Sequence, residues 1–441
     1  MNHLIAFKLS FAALMLATAI SVHSNELSLD ETIAYAFEHE PWLTASKHQQ
    51  AAAQAQSIAA GTLPDPVLTL GLMNLPTNGF ALDQEGMTQF KLGISQMFSR
   101  GDSLALKRQA LAQSAQQYPW LRADRLAQIK TIIIESWLNA YRAQRSIALI
   151  EQDKALFSQL IQVTEASYAS SLGNTRQQDI IRAQLELTRL EDKLLLLNQQ
   201  LASAKKRLSQ WLPMSMLTQP LSTQYPKITP LVDFSTLDFE SLMALLMAHP
   251  AIIALDKTVN AKQTEVKVAQ QSYQPQFGVE LGYGYRADTP LGESRADMFS
   301  IGMSVDIPLF TSNRQDQQVN AAVATAEAFK TQKLIALQQL KGMYFKEVSQ
   351  LAELKKRAAL YQTKLLPQMA EQAQATLNAY TRDDGDFSEV MRARISELNA
   401  KIDALNIQID QQIIIARLNY YASSHDAAIN ALPAQEMQHE Y

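Results

Sequence analysis

The sequence predicts a mainly α fold with a small β part, internally duplicated, in which long antiparallel coiled-coil helices carry four strands per chain. Three observations predict it. Landmarks recur at one offset: Pro41 and Pro250, Pro66 and Pro275, and Phe90, Gly93 and Ser95 against Phe299, Gly302 and Ser304, all 209 residues apart. Segments of about ten residues alternate apolar with small or polar side chains, the period of a strand with two unlike faces. Long helical stretches follow, with apolar positions alternately three and four apart.

In chain order, residues 1–24 read as a secretory signal. His3 and Lys8 open it, Leu9–Ile20 is apolar but too short to cross a bilayer, and Val22-His23-Ser24 precedes a cut before Asn25. The alternative is a buried N-terminal helix. A first repeat then covers 25–212, an extended linker with Pro220, Pro226 and Pro230 covers 213–235, a second repeat covers 236–424, and a tail covers 425–441. Each repeat opens with a short helix, over Leu29–Glu40 and Phe239–His249. A second helix starts with Pro41 or Pro250 in its first turn, where a missing N–H costs nothing.

Two strands per repeat come next. Phe299, Ile301, Met303, Val305 and Ile307 alternate with Ser300, Gly302, Ser304 and Asp306, and Phe90, Leu92 and Ile94 alternate with Lys91, Gly93 and Ser95. Phe277, Val279, Leu281, Tyr283 and Tyr285 alternate with Gly278, Glu280, Gly282 and Gly284. Val67–Leu75 is less clean, because Val67 and Met73 fall on its weaker face. Phe90, Leu92, Ile94, Phe299, Ile301, Met303 and Val305 are the expected lipid-facing residues of a membrane barrel. The competing arrangement is a soluble sandwich, for which the helical remainder offers no second sheet.

Beyond the strands, Asp102 to about Leu172 is helical with one interruption, Pro119. Asn174–Trp211 returns with the seam Ile180, Ala183, Leu187, Leu190, Leu194, Leu197, Leu201, Ala204, Leu208 and Trp211. Ile395, Leu398, Ile402, Leu405 and Ile409 repeat it in the second half. Tyr168, Gly173 and Arg182 recur as Tyr380, Gly385 and Arg394 at an offset of 212, so three residues are inserted upstream. Helices this long need antiparallel partners within the chain or in other copies of it.

Composition narrows the function. A net charge of −4 without a basic block argues against nucleic acid. With no cysteine there are no disulfides, thiolate metal sites, cysteine nucleophiles or lipid anchors through Cys. His3, His23, His39, His48, His249, His425 and His439 lack metal-ligand spacing and the 15 Met are scattered, so no metal site and no cofactor is expected. No catalytic motif stands out, so neither an enzyme nor any catalytic residue is expected. After Ser24 no run of 18 apolar residues occurs. Four strands cannot close in lipid, since open edges leave backbone groups unpaired. Copies must pool them, and an open lumen favours more than eight strands.

These residues resemble the TolC-type outer membrane factors, the outer membrane efflux proteins. The resemblance covers Leu27 to about Tyr421. Its local marks are Ser167-Tyr168 with Leu172-Gly173-Asn174, and Ala379-Tyr380 with Asp384-Gly385-Asp386, each at a turn between long helices. Leu63-Pro64-Asp65-Pro66 and Gly93-Ile94-Ser95-Gln96 look closer to the heavy-metal-efflux branch. The resemblance implies a homotrimer in the outer membrane, with a 12-stranded barrel and an α-helical tunnel across the periplasm. It also implies docking to a periplasmic membrane-fusion adaptor and an inner-membrane pump of the resistance-nodulation-division type. Leu172, Gly173, Asn174, Asp384, Gly385 and Asp386 would present the helix tips to the adaptor.

In the family pattern an acid six residues past the tip glycine, here Asp179, lines a constricted periplasmic gate. The second repeat departs from this, with Met391 at that position. A gate would then draw on Asp383, Asp384, Asp386 and Glu389. The alternative is a solvated helix start, where acids also favour the macrodipole. The resulting function is the passive outer membrane channel of a tripartite efflux pump. Competing readings are the exit duct of a type I protein-secretion system and a periplasmic coiled-coil scaffold without a pore.

Overall fold

Ser28 caps the first helix with a reciprocal pair of hydrogen bonds to Glu31, which satisfies two otherwise orphaned N–H groups and starts α1 (Leu29–Glu38). In the computed structural model, which describes residues 26–169, 177–382 and 385–423, α2 (Pro41–Ala60) follows with its proline at the first position. β1 (Val67–Met73) and β2 (Gln89–Met97) are next, then α3 (Ser103–Ala115), α4 (Gln117–Ala169) and α5 (Gln177–Arg207). A one-turn helix, α6 (Met214–Leu217), lies in the linker. The series then repeats as α7 (Phe239–Met247), α8 (Pro250–Gln270), β3 (Gln276–Tyr285), β4 (Met298–Asp306), α9 (Gln315–Leu360), α10 (Leu366–Tyr380) and α11 (Phe387–Tyr421). The duplicated order of two helices, two strands and long helices matches the sequence expectation, but the first long stretch breaks at Gln116 in the first repeat and at Tyr361–Leu365 in the second.

The four strands form one antiparallel sheet in the order β1-β2-β3-β4. Each strand runs into one helix, and those helices pack side by side as α2, α3, α8 and α9. The strand order is thus also the helix order. Further from the sheet, α4 packs against α5 and α11, and α11 packs against α9 and α10. With 53 residues at ~1.5 Å each, α4 alone reaches about 80 Å. Among the described residues no single helix is long and apolar enough to cross a membrane.

Interruptions have local causes. The break between α3 and α4 falls at Gln116, and Pro119 lies in the first turn of α4, where its missing N–H is not needed. In the second repeat Pro367 withholds the N–H that would bond the Thr363 carbonyl. A π-helical turn at Tyr361–Leu365 absorbs the misfit. Gly101 turns β2 into α3 at φ +43°, and a Cβ there would stand 2.3 Å from Gln271 Oε1.

The expected seam is partly exposed. Ala183, Leu190, Leu197, Leu208 and Trp211 are buried, whereas Ile180, Leu187, Leu194, Leu201 and Ala204 between them are half-covered. Beyond α6 the linker is extended, as its prolines require, but docked. Leu27 pairs with Leu221 in an isolated parallel bridge, and Leu221 is fully buried against α4. Gln144 holds the Leu221 carbonyl at 3.0 Å, and Gln412 and Asn419 of α11 accept from the N–H groups of Ile228 and Leu231.

Polar pairs beside it act both within a repeat and between the two. Glu40 accepts from Trp211 Nε1 at 3.0 Å and pairs with Arg125 at 3.2 Å. Arg417 of α11 reaches Glu135 of α4 at 2.6 Å and Glu347 of α9 at 3.5 Å, and Arg142 pairs with Asp410.

Candidate functional site

Side chains in a strand alternate faces, so the register decides what each face carries. Leu68, Leu70 and Leu72 stand opposite Ile94, Leu92 and Phe90; these stand opposite Leu281, Tyr283 and Tyr285; Leu281 and Tyr283 face Ile301 and Phe299. One face is therefore apolar across all four strands. It holds every residue expected to face lipid: Phe90, Leu92, Ile94, Phe299, Ile301, Met303 and Val305. All seven are exposed, Met303 by 73%. Among the described residues no helix covers this face, and β1 and β4 each present a free edge.

The opposite face reads Thr69 and Gly71, then Gln89, Lys91, Gly93 and Ser95, then Gly278, Glu280, Gly282 and Gly284, then Ser300, Gly302, Ser304 and Asp306. Val67 and Met73 join it, which accounts for the less regular alternation of the first strand. Its charges are paired. Lys91 meets Glu280 at 3.1 Å, and Asp306 meets Arg100 at the helical end. Apolar residues crowd both ends of the strands. Phe98, Leu309 and Phe310 lie at the helical end, and Phe80 and Leu291 at the outer loops. The arrangement suits a sheet with one side in lipid and the other lining water.

At the far end of the helices lie the expected tips. Leu172, Gly173, Asn174, Asp383 and Asp384 lie outside the described residues. Asp386 is exposed and caps α11, accepting from the Ser388 N–H at 2.9 Å. Glu389 lies in the first turn, where its charge favours the helix N-terminus. Gly385 approaches the end of α10 so closely that a Cβ would stand 2.7 Å from the Tyr380 nitrogen.

Asp179 is buried, 6% exposed, in the first turn of α5. It borders a cleft of about 370 Å³ shared with Arg182, Glu186, Phe387, Met391 and Arg392. The structure thus brings Asp179 against the start of α11 within the same chain. Met391, its counterpart by repeat, is buried in the cluster of Phe157, Ile161, Ala183 and Phe387. Of the two arginines beside Asp179, Arg182 entered the sequence reading only as a repeat landmark and Arg392 not at all. The signal for Arg182 is its spacing of three from Asp179, about one helical turn; Arg392, on α11, has no such local signal.

Comparisons with known proteins agree with this geometry. Residues 242–422 match the model of the outer membrane efflux protein family. VceC, an outer membrane protein of Vibrio cholerae, is 18% identical, with TM-score 0.71 over 90% of this chain and 96% of that one. The CmeC outer membrane channel of Campylobacter jejuni is 13% identical, with TM-score 0.70 over 94% and 91%. The open state of the MtrE outer membrane channel of Neisseria gonorrhoeae is 13% identical, with TM-score 0.67 over 90% and 89%. At these identities the likeness is one of fold, and it spans both repeats. No curated protein matches in sequence.

Proposed function

We propose that this chain, whose residues 242–422 match the model of the outer membrane efflux protein family, is a member of that family and the outer membrane channel of a tripartite efflux pump. Three copies pool their strands into a 12-stranded barrel and their helices into a tunnel through the periplasm. The conduit is passive. A periplasmic adaptor and an inner-membrane transporter of the resistance-nodulation-division type deliver the cargo.

One observation carries this reading: an uncovered four-stranded sheet, apolar outside and Gly/Ser-rich inside, whose strands continue one for one into a wall of helices. A scaffold without a pore has no use for that apolar face. A secretion duct would share it, and the two differ in the transporter they serve. The finer assignment of heavy-metal cations as cargo rests on the resemblance of Leu63–Pro66 and Gly93–Gln96.

At the periplasmic mouth, the proposed gate combines Asp179 with the second-tip acids Asp383, Asp384, Asp386 and Glu389. Carboxylates brought together around one axis attract cations and resist full closure. The adaptor docks at Leu172–Asn174 and Asp384–Asp386.

The experiment is a planar-bilayer recording. The protein should pass a cation-selective current that multivalent cations block from the periplasmic side. Replacing Asp179 and Asp384 with Asn should weaken both selectivity and block while assembly survives. Unchanged selectivity and block would make these acids ordinary helix starts. Absence of any current under conditions that open the mouth would remove the channel itself.

A further inference from the structure

The inner face of the sheet carries one ion pair at mid-height, and its geometry is unusual. Lys91 stands directly opposite Gly284, and Glu280 directly opposite Ser95. The two residues are thus four positions out of register, about 14 Å along the strands at ~3.4 Å per residue. Their side chains close that distance by lying along the wall towards each other, so that Nζ and Oε1 meet at 3.1 Å.

The surface beneath them is made of glycine. Gly93 and Gly282 form a directly opposed pair between Lys91 and Glu280. A Cβ on Gly282 would stand 2.8 Å from Lys91 Cε, and one on Gly93 would lie 3.9 Å from Glu280 Oε1. Gly302, opposite Glu280, would bring a Cβ within 3.8 Å of the Glu280 Cβ. Any side chain at Gly282 would lift the lysine off the wall into the open space. The glycine bed and the diagonal pair therefore belong together.

We propose that Lys91 and Glu280 form a charge-cancelling latch laid flat on the barrel wall, and that this latch sets the charge selectivity of the membrane-spanning part of the conduit. The inference rests on the proposed function, because only a closed barrel makes this face a pore wall. Among the described strand residues of this face, Asp306 is the remaining charge, and Arg100 neutralises it at the helical end. With both pairs intact the wall carries no net charge, and solutes of either sign pass without a fixed field. Removing one partner leaves the other uncompensated in every copy around one lumen. An exposed pair of this kind adds little stability, so its consequence lies in the field inside the pore.

The chain contains no cysteine, so a single introduced thiol reports local potential. The reporter is Ser300→Cys, on the inner face opposite Gly282. It is treated in proteoliposomes with small thiol-specific methanethiosulfonates, one cationic and one anionic. The ratio of cationic to anionic rates should rise roughly fivefold in Lys91→Met and fall roughly fivefold in Glu280→Gln, the effect of a unit charge about 8 Å away in water. It should return to the starting value in the exchanged pair, Lys91→Glu with Glu280→Lys. A thiol introduced on the other face by Ile301→Cys should resist both reagents because lipid covers it. Equal ratios in both single variants, with the Ile301→Cys thiol still protected, would overturn the latch and leave the barrel standing. Rapid modification of the Ile301→Cys thiol would instead overturn the barrel on which the latch depends.

Discussion

Arginine at Ile301 should abolish assembly in the membrane, whereas arginine at Ser304, three residues on, should be tolerated. Ile301 lies near the middle of β4 on the exposed apolar face, and Ser304 on the inner one. A guanidinium near mid-membrane costs ~2–4 kcal/mol, and a symmetric assembly incurs that cost in each copy. One copy's share already corresponds to at least ~thirtyfold less assembled protein. Ser304→Arg enters the lumen, where water solvates it. The readout is the yield of folded, heat-modifiable oligomer from outer membranes. Equal loss from both substitutions would show that the two faces do not see different solvents.

Acidification should loosen the region where the two repeats meet, through His249. Its ring is fully buried just before Pro250. Nε2 lies 3.0 Å from the Tyr420 carbonyl, and Nδ1 accepts from the Ala251 N–H at 3.3 Å. Only the neutral tautomer protonated at Nε2 satisfies both contacts. Burial lowers the folded-state pKa to about 4, against 6.5 when unfolded, and the bond to the Tyr420 carbonyl offsets this only in part. A depressed folded-state value means the unfolded chain takes up the proton first. The stabilisation is complete above pH 6.5 and is lost as pH falls towards 4, by about 3 kcal/mol per chain. Burial pushes the Asp124 carboxyl up, and that group works in the opposite sense. The comparison is therefore with His249→Gln, which keeps a donor for Tyr420 and does not titrate. Denaturation midpoints of wild type should fall more steeply between pH 6.5 and 4 than those of the variant. Parallel curves would show that His249 accepts its proton in place.

The offset of 209 residues carries much of what the sequence could say. It places Glu40 and His249 at equivalent positions, each buried at the start of a proline-opened helix, although the two side chains do different work. Alternation set the apolar face correctly because it depends only on a period of two. The Lys91–Glu280 pair was beyond reach, since a contact four positions out of register exists only once β2 and β3 are paired. The docked linker was hidden for a similar reason. Its prolines specify an extended chain, but the groups that hold it come from α4 and α11, far away in sequence. Pro367 was a visible signal of a perturbed helix, and the π-helical turn answers it. At the tips, spacing put Asp179 on the first turn of α5. Its burial against α11 follows from tertiary packing that the sequence of α5 alone does not encode.

If this sheet is one third of a closed barrel, the particle holds three chains. The most direct measurement is the mass of the detergent-purified protein by light scattering corrected for bound detergent. Three chains per particle, with native β-sheet content, is the predicted result, because both edges of the sheet are free and four strands cannot close. A stable single-chain particle that keeps its strands in a bilayer would contradict it.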